Sequence, residues 1–142
     1  METSADITRN LEAYLREIIK VTSSIVAVYL FGSYANNKGK TISDLDLAFL
    51  LDEKTYNADS FEAARYAYMA SMRAGIRFRK ETDVVILNSS SIELAYEVVV
   101  TGHCVYEEDQ SRRLEYEAVI RGMYYDFKPF LTELRSRFLE KL

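Results

Sequence analysis

The sequence contains very few of the residues that form disulfides, zinc sites or membrane spans. It has one cysteine, Cys104, and one histidine, His103, and we expect both to be ordinary strand residues. A single cysteine excludes an intrachain disulfide and a multi-cysteine zinc site, so any bound metal has to be held mostly by oxygen ligands. No run reaches the ~18 uncharged apolar residues that a membrane span needs, and the N-terminus has no signal-peptide core. We therefore expect a cytoplasmic protein that does not contact membranes.

The composition lacks the excess of basic residues that is typical of proteins binding nucleic acids. The chain carries 22 acidic and 18 basic residues, which gives a net charge of -4. Because a nucleic-acid backbone attracts clustered lysine and arginine, we expect no direct nucleic-acid binding. A protein partner, or a nucleotide that arrives with its own metal, suits this charge better. A length of 142 residues fits one domain over residues 1–142.

The hydrophobic pattern predicts helices and strands that follow one another in an α/β (α+β) domain. Apolar residues at three- and four-residue spacing are typical of helices, and short runs of β-branched and aromatic residues are typical of strands. We expect helices over residues 4–21, 60–74, 89–102 and 110–142, strands over 24–31, 44–51, 82–87 and 103–106, and a short helical turn over 33–36. The expected sheet is mixed and largely antiparallel, with about four strands, helices on one side and a C-terminal helical segment.

Two of these elements have a predicted buried face. Strict alternation along the first strand assigns to one face Val26, Val28 and Leu30. The helix over 60–74 should begin at a capping Asp59 and stop at Gly75. Its buried stripe is expected to consist of Phe61, Ala64, Tyr68 and Met72.

The C-terminal segment is rich in aromatic residues and contains the only proline, Pro129. Proline lacks an amide hydrogen and clashes with the preceding helical turn, which predicts a kink or two helices. The aromatic residues either pack the terminal helices or form a partner or self-association surface. They are Tyr116, Tyr124, Tyr125, Phe127, Phe130 and Phe138.

Three aspartates stand in otherwise apolar strands. Asp44 and Asp46 begin the second strand and project to the same face, and Asp83 interrupts the apolar run of the third. Carboxylates that share a partly buried face repel one another unless a cation compensates their charge. If the third strand pairs beside the second, the three carboxylates converge, and such a set suits Mg²⁺ with open positions for substrate phosphates.

A Gly-Ser pair follows the first strand. Gly32 allows the backbone to approach a phosphate closely, and a helix beginning at Ser33 offers free N–H groups and the positive end of its dipole. Together with the aspartates, the pair predicts a metal-nucleotide site and phosphoryl-type chemistry.

The segment "GSYANNKGKTISDLDLA" resembles the Gly-Ser, ten-residue spacer, Asp-x-Asp signature of the polymerase-beta-like nucleotidyltransferase superfamily, in the form of its minimal members. "TDVVILNSSSIELAYEVVVTGHCVYEED" resembles the third-aspartate strand, helix and final strand of the same proteins. The resemblance covers most of the chain, over residues 27–109. It implies a nucleotidyltransferase fold and a nucleotidyltransferase activity.

Members of this superfamily that are paired with HEPN-type RNase toxins act as antitoxins, and the tail "YYDFKPFLTELRSRFLEKL" is similar to their C-terminal helices. The resemblance implies a Mg²⁺-dependent transfer of AMP from ATP to a tyrosine hydroxyl of a cognate HEPN toxin in a hetero-oligomer. It implies that Gly32 and Ser33 hold the triphosphate and that Asp44 and Asp46 bind the metals. Asp83 would complete the metal site and accept the proton of the incoming hydroxyl.

Two alternatives remain at this stage. An Arg-Gly pair often follows Gly-Ser-x-Ala in the superfamily, whereas Asn36 and Asn37 stand there in this chain. Asparagine cannot supply the charge of a guanidinium, so one alternative is a binding-only antitoxin whose site has decayed. The other is adenylylation of a small molecule such as an aminoglycoside.

Overall fold

The structure is a computed structural model that describes residues 3–20, 24–32 and 44–141. Its elements, in chain order, are α1 (Ser4–Ile18), β1 (Ile25–Phe31), β2 (Leu45–Leu51), α2 (Glu53–Ala58), α3 (Ser60–Phe78), β3 (Thr82–Ile86), a 3-10 turn (Leu87–Ser89), α4 (Ile92–Thr101), β4 (His103–Glu107) and α5 (Gln110–Glu140). None of the described helices combines the length and apolar character needed to cross a membrane.

The four strands form one sheet in the order β3-β2-β1-β4. β1 pairs antiparallel with both β2 and β4, whereas β2 and β3 run parallel. The parallel pair is possible because α2 and α3 form the long crossover that such a connection requires. The prediction of a mixed, largely antiparallel sheet of four strands is confirmed.

Helices cover both faces of the sheet, so the prediction of helices on one side is wrong. α1 and α3 pack on the face that carries Leu47 and Phe49, and α4 and α5 pack on the face that carries Ala48 and Leu50. β2 is apolar on both faces after its first residues, and a strand of that kind needs cover on both sides. The acidic start of β2 is the exception, and it lies where the candidate site is found.

A β-bulge changes the predicted faces of β1. The pairing with β2 shifts register between Ile25 and Ala27. Val26 therefore lies with Ala27 in the core beneath α4 and α5, while Ile25 lies with Val28 on the opposite side. The prediction that Val26 shares a face with Val28 and Leu30 is wrong because a bulge inserts one residue into the alternation.

The buried face of α3 is made of alanines, not of the predicted aromatic stripe. The side chains against the sheet belong to Ala63, Ala67, Ala70, Ser71 and Ala74. Of the predicted stripe, Phe61, Tyr68 and Met72 are exposed. Small side chains allow the helix to lie close to the sheet, so the large residues point outward.

α3 begins as predicted but continues beyond Gly75. The Asp59 side chain accepts a hydrogen bond from the Glu62 amide, as an N-cap does. The helix ends at Phe78 and is capped by Arg79, whose φ of 56° is left-handed. Gly75 serves a different purpose, because a Cβ there would lie 2.8 Å from the Lys80 carbonyl oxygen. The chain leaving α3 folds back over this glycine.

α5 is one helix of 31 residues that continues through Pro129, so of the two predicted outcomes, a kink or two helices, the second is wrong. The carbonyl that loses its amide partner belongs to Tyr125, an exposed residue whose carbonyl water can solvate.

Near its start, α5 is joined to the sheet by polar contacts. The buried Tyr29 hydroxyl donates to Glu117 at 2.7 Å, and Arg113 contacts both Glu117 and Glu107.

Asn88 continues the β2–β3 pairing after β3 has ended. Its amide group accepts from the Leu51 N–H and donates to the Leu51 carbonyl, each at 2.9 Å. We expect Asn88→Ala to lower the free energy of unfolding by about 1–3 kcal/mol, because both backbone groups of Leu51 lose their partner. Urea denaturation measures this loss. The exposed Asn57→Ala is the matched control, with an expected change of about 0.5 kcal/mol or less.

Candidate metal and nucleotide site

The candidate site lies at one edge of the sheet, where the parallel β2–β3 pair begins. Asp46 of β2 is the register partner of Asp83 of β3. Residues paired in register point to the same face, so the two carboxylates lie side by side on the face of Ala48. Asp44 precedes β2 by one residue and is exposed, as is Asp83. The sequence predicted converging carboxylates only if the third strand paired beside the second, and the structure shows that β3 pairs with β2.

The antiparallel neighbour β1 brings Gly32 to the same edge. Phe31, the last residue of β1, is the register partner of Asp46, and Gly32 follows it with φ of 78°. A Cβ at position 32 would lie only 2.2 Å from Oδ2 of Asp46. Glycine is therefore required twice, for its left-handed backbone and for the space that the carboxylate occupies.

The electrostatics of the site centre on Asp46. Its side chain is half-buried, and the pKa of this carboxyl rises from 3.8 to about 6. Burial is the largest cause, followed by the charge of Asp83, a hydrogen bond with Asp83 and the charge of Asp44. Without a cation, negative charge at this point is therefore costly, and Asp46 holds its proton more strongly than an exposed aspartate does.

The donor set has the chemistry that a divalent magnesium ion requires. Oxygen donors on adjacent strands, one of them with a raised pKa, are stabilised by a positive charge placed between them. Within the described ranges, no group of three or more His, Cys, Asp or Glu side chains is already gathered as a metal cage. The structure thus brings Asp44, Asp46 and Asp83 into electrostatic contact without closing a coordination sphere around one point.

Other expectations for this region concern residues outside those that the structure describes. Ser33, the expected helical turn over 33–36 and the spacer with Asn36 and Asn37 all belong to this group. Their proposed roles stay predictions.

Cys104 and His103 lie in β4, as predicted. The Cys104 thiol is half-buried, and burial raises its pKa to about 11. The reactive thiolate is therefore scarce at neutral pH, which fits an ordinary strand residue.

Comparison with known proteins identifies the class of enzyme. Residues 14–111 match the model of the polymerase beta nucleotidyltransferase family. Since the match spans more than half of the chain, the chain belongs to this family and is a nucleotidyltransferase. No significant match to a curated protein sequence is found.

The fold is also shared with solved toxin-antitoxin structures. One, a toxin-antitoxin crystallised with AMP-PNP, is 20% identical with a TM-score of 0.67, over 93% of this chain and 98% of that one. A second, a tri-AMPylated Shewanella oneidensis HEPN toxin in complex with MNT antitoxin, is 18% identical with a TM-score of 0.63, over 96% and 98%. A third, the toxin-antitoxin MntA-HepT, is 18% identical with a TM-score of 0.61, over 94% and 97%. At these identities, the likeness establishes the fold.

The raised pKa of Asp46 predicts how stability depends on pH in the absence of metal. A carboxyl whose pKa is higher in the folded state stabilises the fold fully below 3.8, and this contribution is lost as the pH rises through about 6. We therefore expect Asp46→Asn in EDTA to unfold at a higher temperature than the wild type at pH 7.5, with a difference that shrinks by pH 4.5. Differential scanning calorimetry at both pH values measures it.

The exposed Asp126→Asn on α5 is the matched control and should show no such pH-dependent difference. An Asp46→Asn protein that is less stable than the wild type at pH 7.5 in EDTA would contradict the prediction.

The contact between Gly32 and Asp46 predicts an energetic coupling. Gly32→Ala introduces a left-handed alanine and a clash with the carboxylate, and should destabilise the fold by about 2–4 kcal/mol. In the Asp46→Ala background only the backbone strain remains, so the same change should cost about 1 kcal/mol. A double-mutant cycle by urea denaturation measures the difference. Equal costs in both backgrounds would show that the two residues are not in contact.

Proposed function

We propose that this nucleotidyltransferase transfers AMP from ATP to a tyrosine hydroxyl of a cognate HEPN-type RNase toxin, depends on Mg²⁺ and acts as the antitoxin of a cytoplasmic toxin-antitoxin pair. The observation that carries the proposal is the Asp46–Asp83 register pair beside Gly32, on the nucleotidyltransferase fold. The structural neighbours support the choice of acceptor, because one of them contains an AMPylated HEPN toxin.

The proposed roles follow from where the residues lie. Asp44 and Asp46 would hold the metal together with Asp83, and Gly32 would let the triphosphate approach the backbone, with Ser33 as a further phosphate ligand. Bound Mg²⁺ would offset the charge of the triphosphate and acidify the attacking hydroxyl. Asp83 is exposed on the edge strand, where an incoming acceptor can reach it, so we assign to it the acceptance of the tyrosine proton.

The reaction forms a bond between the tyrosine oxygen and the α-phosphorus of ATP. The bond between that phosphorus and the bridging oxygen of the β-phosphate breaks, and pyrophosphate leaves with the electron pair. The proton of the tyrosine passes to a carboxylate of the site. The chain's contribution is to place donor, acceptor and carboxylates on one edge of a rigid sheet.

Asp44→Asn tests the proposed activity. The wild type, incubated with labelled ATP, Mg²⁺ and the product of the neighbouring gene, which we expect to be the HEPN protein, should label that protein. Asp44→Asn should reduce the initial rate by about 100-fold or more, because one metal-binding charge is lost. Asp126→Asn, the same change on the exposed surface of α5, should label at the wild-type rate.

Absence of label with the wild type, or equal label with Asp44→Asn, would reject the transfer. Magnesium binding to the same two variants, measured by calorimetry, does not require an acceptor protein. Neutralisation of the toxin that survives the loss of both Asp44 and Asp46 would establish the binding-only alternative.

A further inference from the structure

The outer surface of α3 carries large apolar side chains where a helix of this kind is normally polar. Four of them form a stripe along the helix, directly opposite the alanine face that packs on the sheet. Their exposed fractions are 80% for Phe61, 56% for Tyr68, 59% for Met72 and 73% for Ile76. Exposure of single apolar residues is ordinary, but four large ones along one side of a helix, with only Arg65 between Phe61 and Tyr68, are typical of an interaction surface.

The polar residues beside this stripe are arginines. Arg65, Arg73 and Arg77 lie on the exposed part of α3, and the only acid in the helix is Glu62. Glu62 is occupied by Arg65 at 2.8 Å, and no salt bridge joins Arg73 or Arg77 to another described residue. Tyrosine, phenylalanine, methionine and arginine are the residues enriched in protein interfaces, and lysine and glutamate are depleted there.

The charge of this surface is opposite to that of the whole chain. Residues 60–80 contain five basic residues and one acidic residue, a net charge of +4, while the chain has a net charge of -4. A partner that fits α3 therefore presents apolar side chains surrounded by acidic ones. Such a partner is repelled by the rest of the acidic chain, so the local charge selects where it docks.

α3 ends close to the candidate site. A shallow depression of about 580 Å³ joins its last turns to the start of β3, and its lining includes Met72, Ile76, Arg79 and Thr82. Asp83 is the next residue after Thr82, and β3 is an edge strand of the sheet. A protein that lies along α3 therefore reaches the carboxylates by passing around a single strand.

From these observations we infer that the exposed face of α3, with Phe61, Tyr68, Met72, Ile76 and its arginines, is the surface on which the acceptor protein docks through an apolar patch with an acidic rim. This inference rests on the proposed function, because it gives the acceptor of that reaction a place on the chain. The face positions the acceptor and takes no part in the chemistry.

The exposed stripe of α5 is the competing surface. Its distal half exposes, among others, Phe127, Phe130, Leu134 and Phe138. Residues 126–140 contain three acidic and three basic residues, so the net charge of this half is zero and selects no partner. Although α5 packs on the same face of the sheet as Asp46 and Asp83, this balanced charge gives an acidic-rimmed partner no preferred place on it. This stripe therefore supplies the matched controls.

Binding of the purified HEPN protein, measured by calorimetry without ATP or Mg²⁺, tests the inference. Tyr68→Ser with Met72→Ser should weaken binding by about tenfold or more, because two central apolar contacts are lost. The control pair Phe130→Ser with Leu134→Ser has nearly equal exposure, 58% and 53%, and should leave the dissociation constant within about twofold. All four side chains are solvent-exposed, and circular dichroism checks that each pair folds.

A second pair of variants tests the role of charge. Arg73→Glu with Arg77→Glu should weaken binding of the HEPN protein and flatten its dependence on salt concentration. The same double charge reversal at Arg121 and Lys128 of α5 should change neither the binding of the HEPN protein nor its dependence on salt concentration. A single-stranded RNA oligonucleotide is the second probe. RNA binding that is lost in the α3 reversal, with unchanged binding of the HEPN protein, would overturn the inference.

The outcomes separate the docking surface from the transfer reaction. No binding of the HEPN protein to the wild type, unchanged binding by both α3 pairs, or loss of binding with the α5 pair would each overturn the docking surface. AMP transfer in which the α3 pairs raise the KM for the HEPN protein but not for ATP supports it. Binding that depends on α3 without any AMP transfer rejects the proposed reaction and leaves the docking surface in place.

Discussion

Two carboxylates on neighbouring parallel strands face the same side of the sheet, and the charge of Asp83 adds to burial in raising the pKa of Asp46. The register pair of Asp46 and Asp83 creates this constraint, and the burial of Asp46 beside Gly32 strengthens it. The arrangement is costly for the isolated fold. Either Asp46 retains its proton, or the fold loses stability as the pH rises. A cation placed between the carboxylates would offset this cost, and we propose that this is the source of affinity for a metal-bound nucleotide.

The rest of the sheet holds the two carboxylates close together despite their repulsion. β2 is buried along nearly all its length, with helices packed on both faces, and it is held between β1 and β3. The backbone near Asp46 is therefore fixed, and the carboxylate cannot move away from Asp83 by bending the strand. Electrostatic preorganisation requires charged groups in fixed positions, and a rigid apolar sheet with acidic side chains at its end provides them.

The chemistry-bearing residues could be predicted from the sequence because a carboxylate in an apolar strand is a local signal. Asp44, Asp46 and Asp83 carry this signal, Gly32 stands out as a glycine directly after an apolar strand, and the strands were placed to within a residue or two. The β2–β3 pairing needed the structure, because no local pattern specifies which strand neighbours another. The bulge near Val26 was missed for the same reason, since it exists only as a mismatch between two paired strands.

α3 shows why the outer surface of a helix was harder to predict than the candidate site. In a helical-wheel projection, α3 has an alanine face and an aromatic face. Hydrophobicity alone predicts that the aromatic face is buried in the core. The helix instead places alanines against the sheet, because small side chains allow the closest approach and each large side chain would hold the helix away. Large apolar residues left on the outside bury little area on folding. The docking surface that we infer accounts for Phe61, Tyr68 and Met72 on one face of α3, and the arginines beside them give that surface its positive charge.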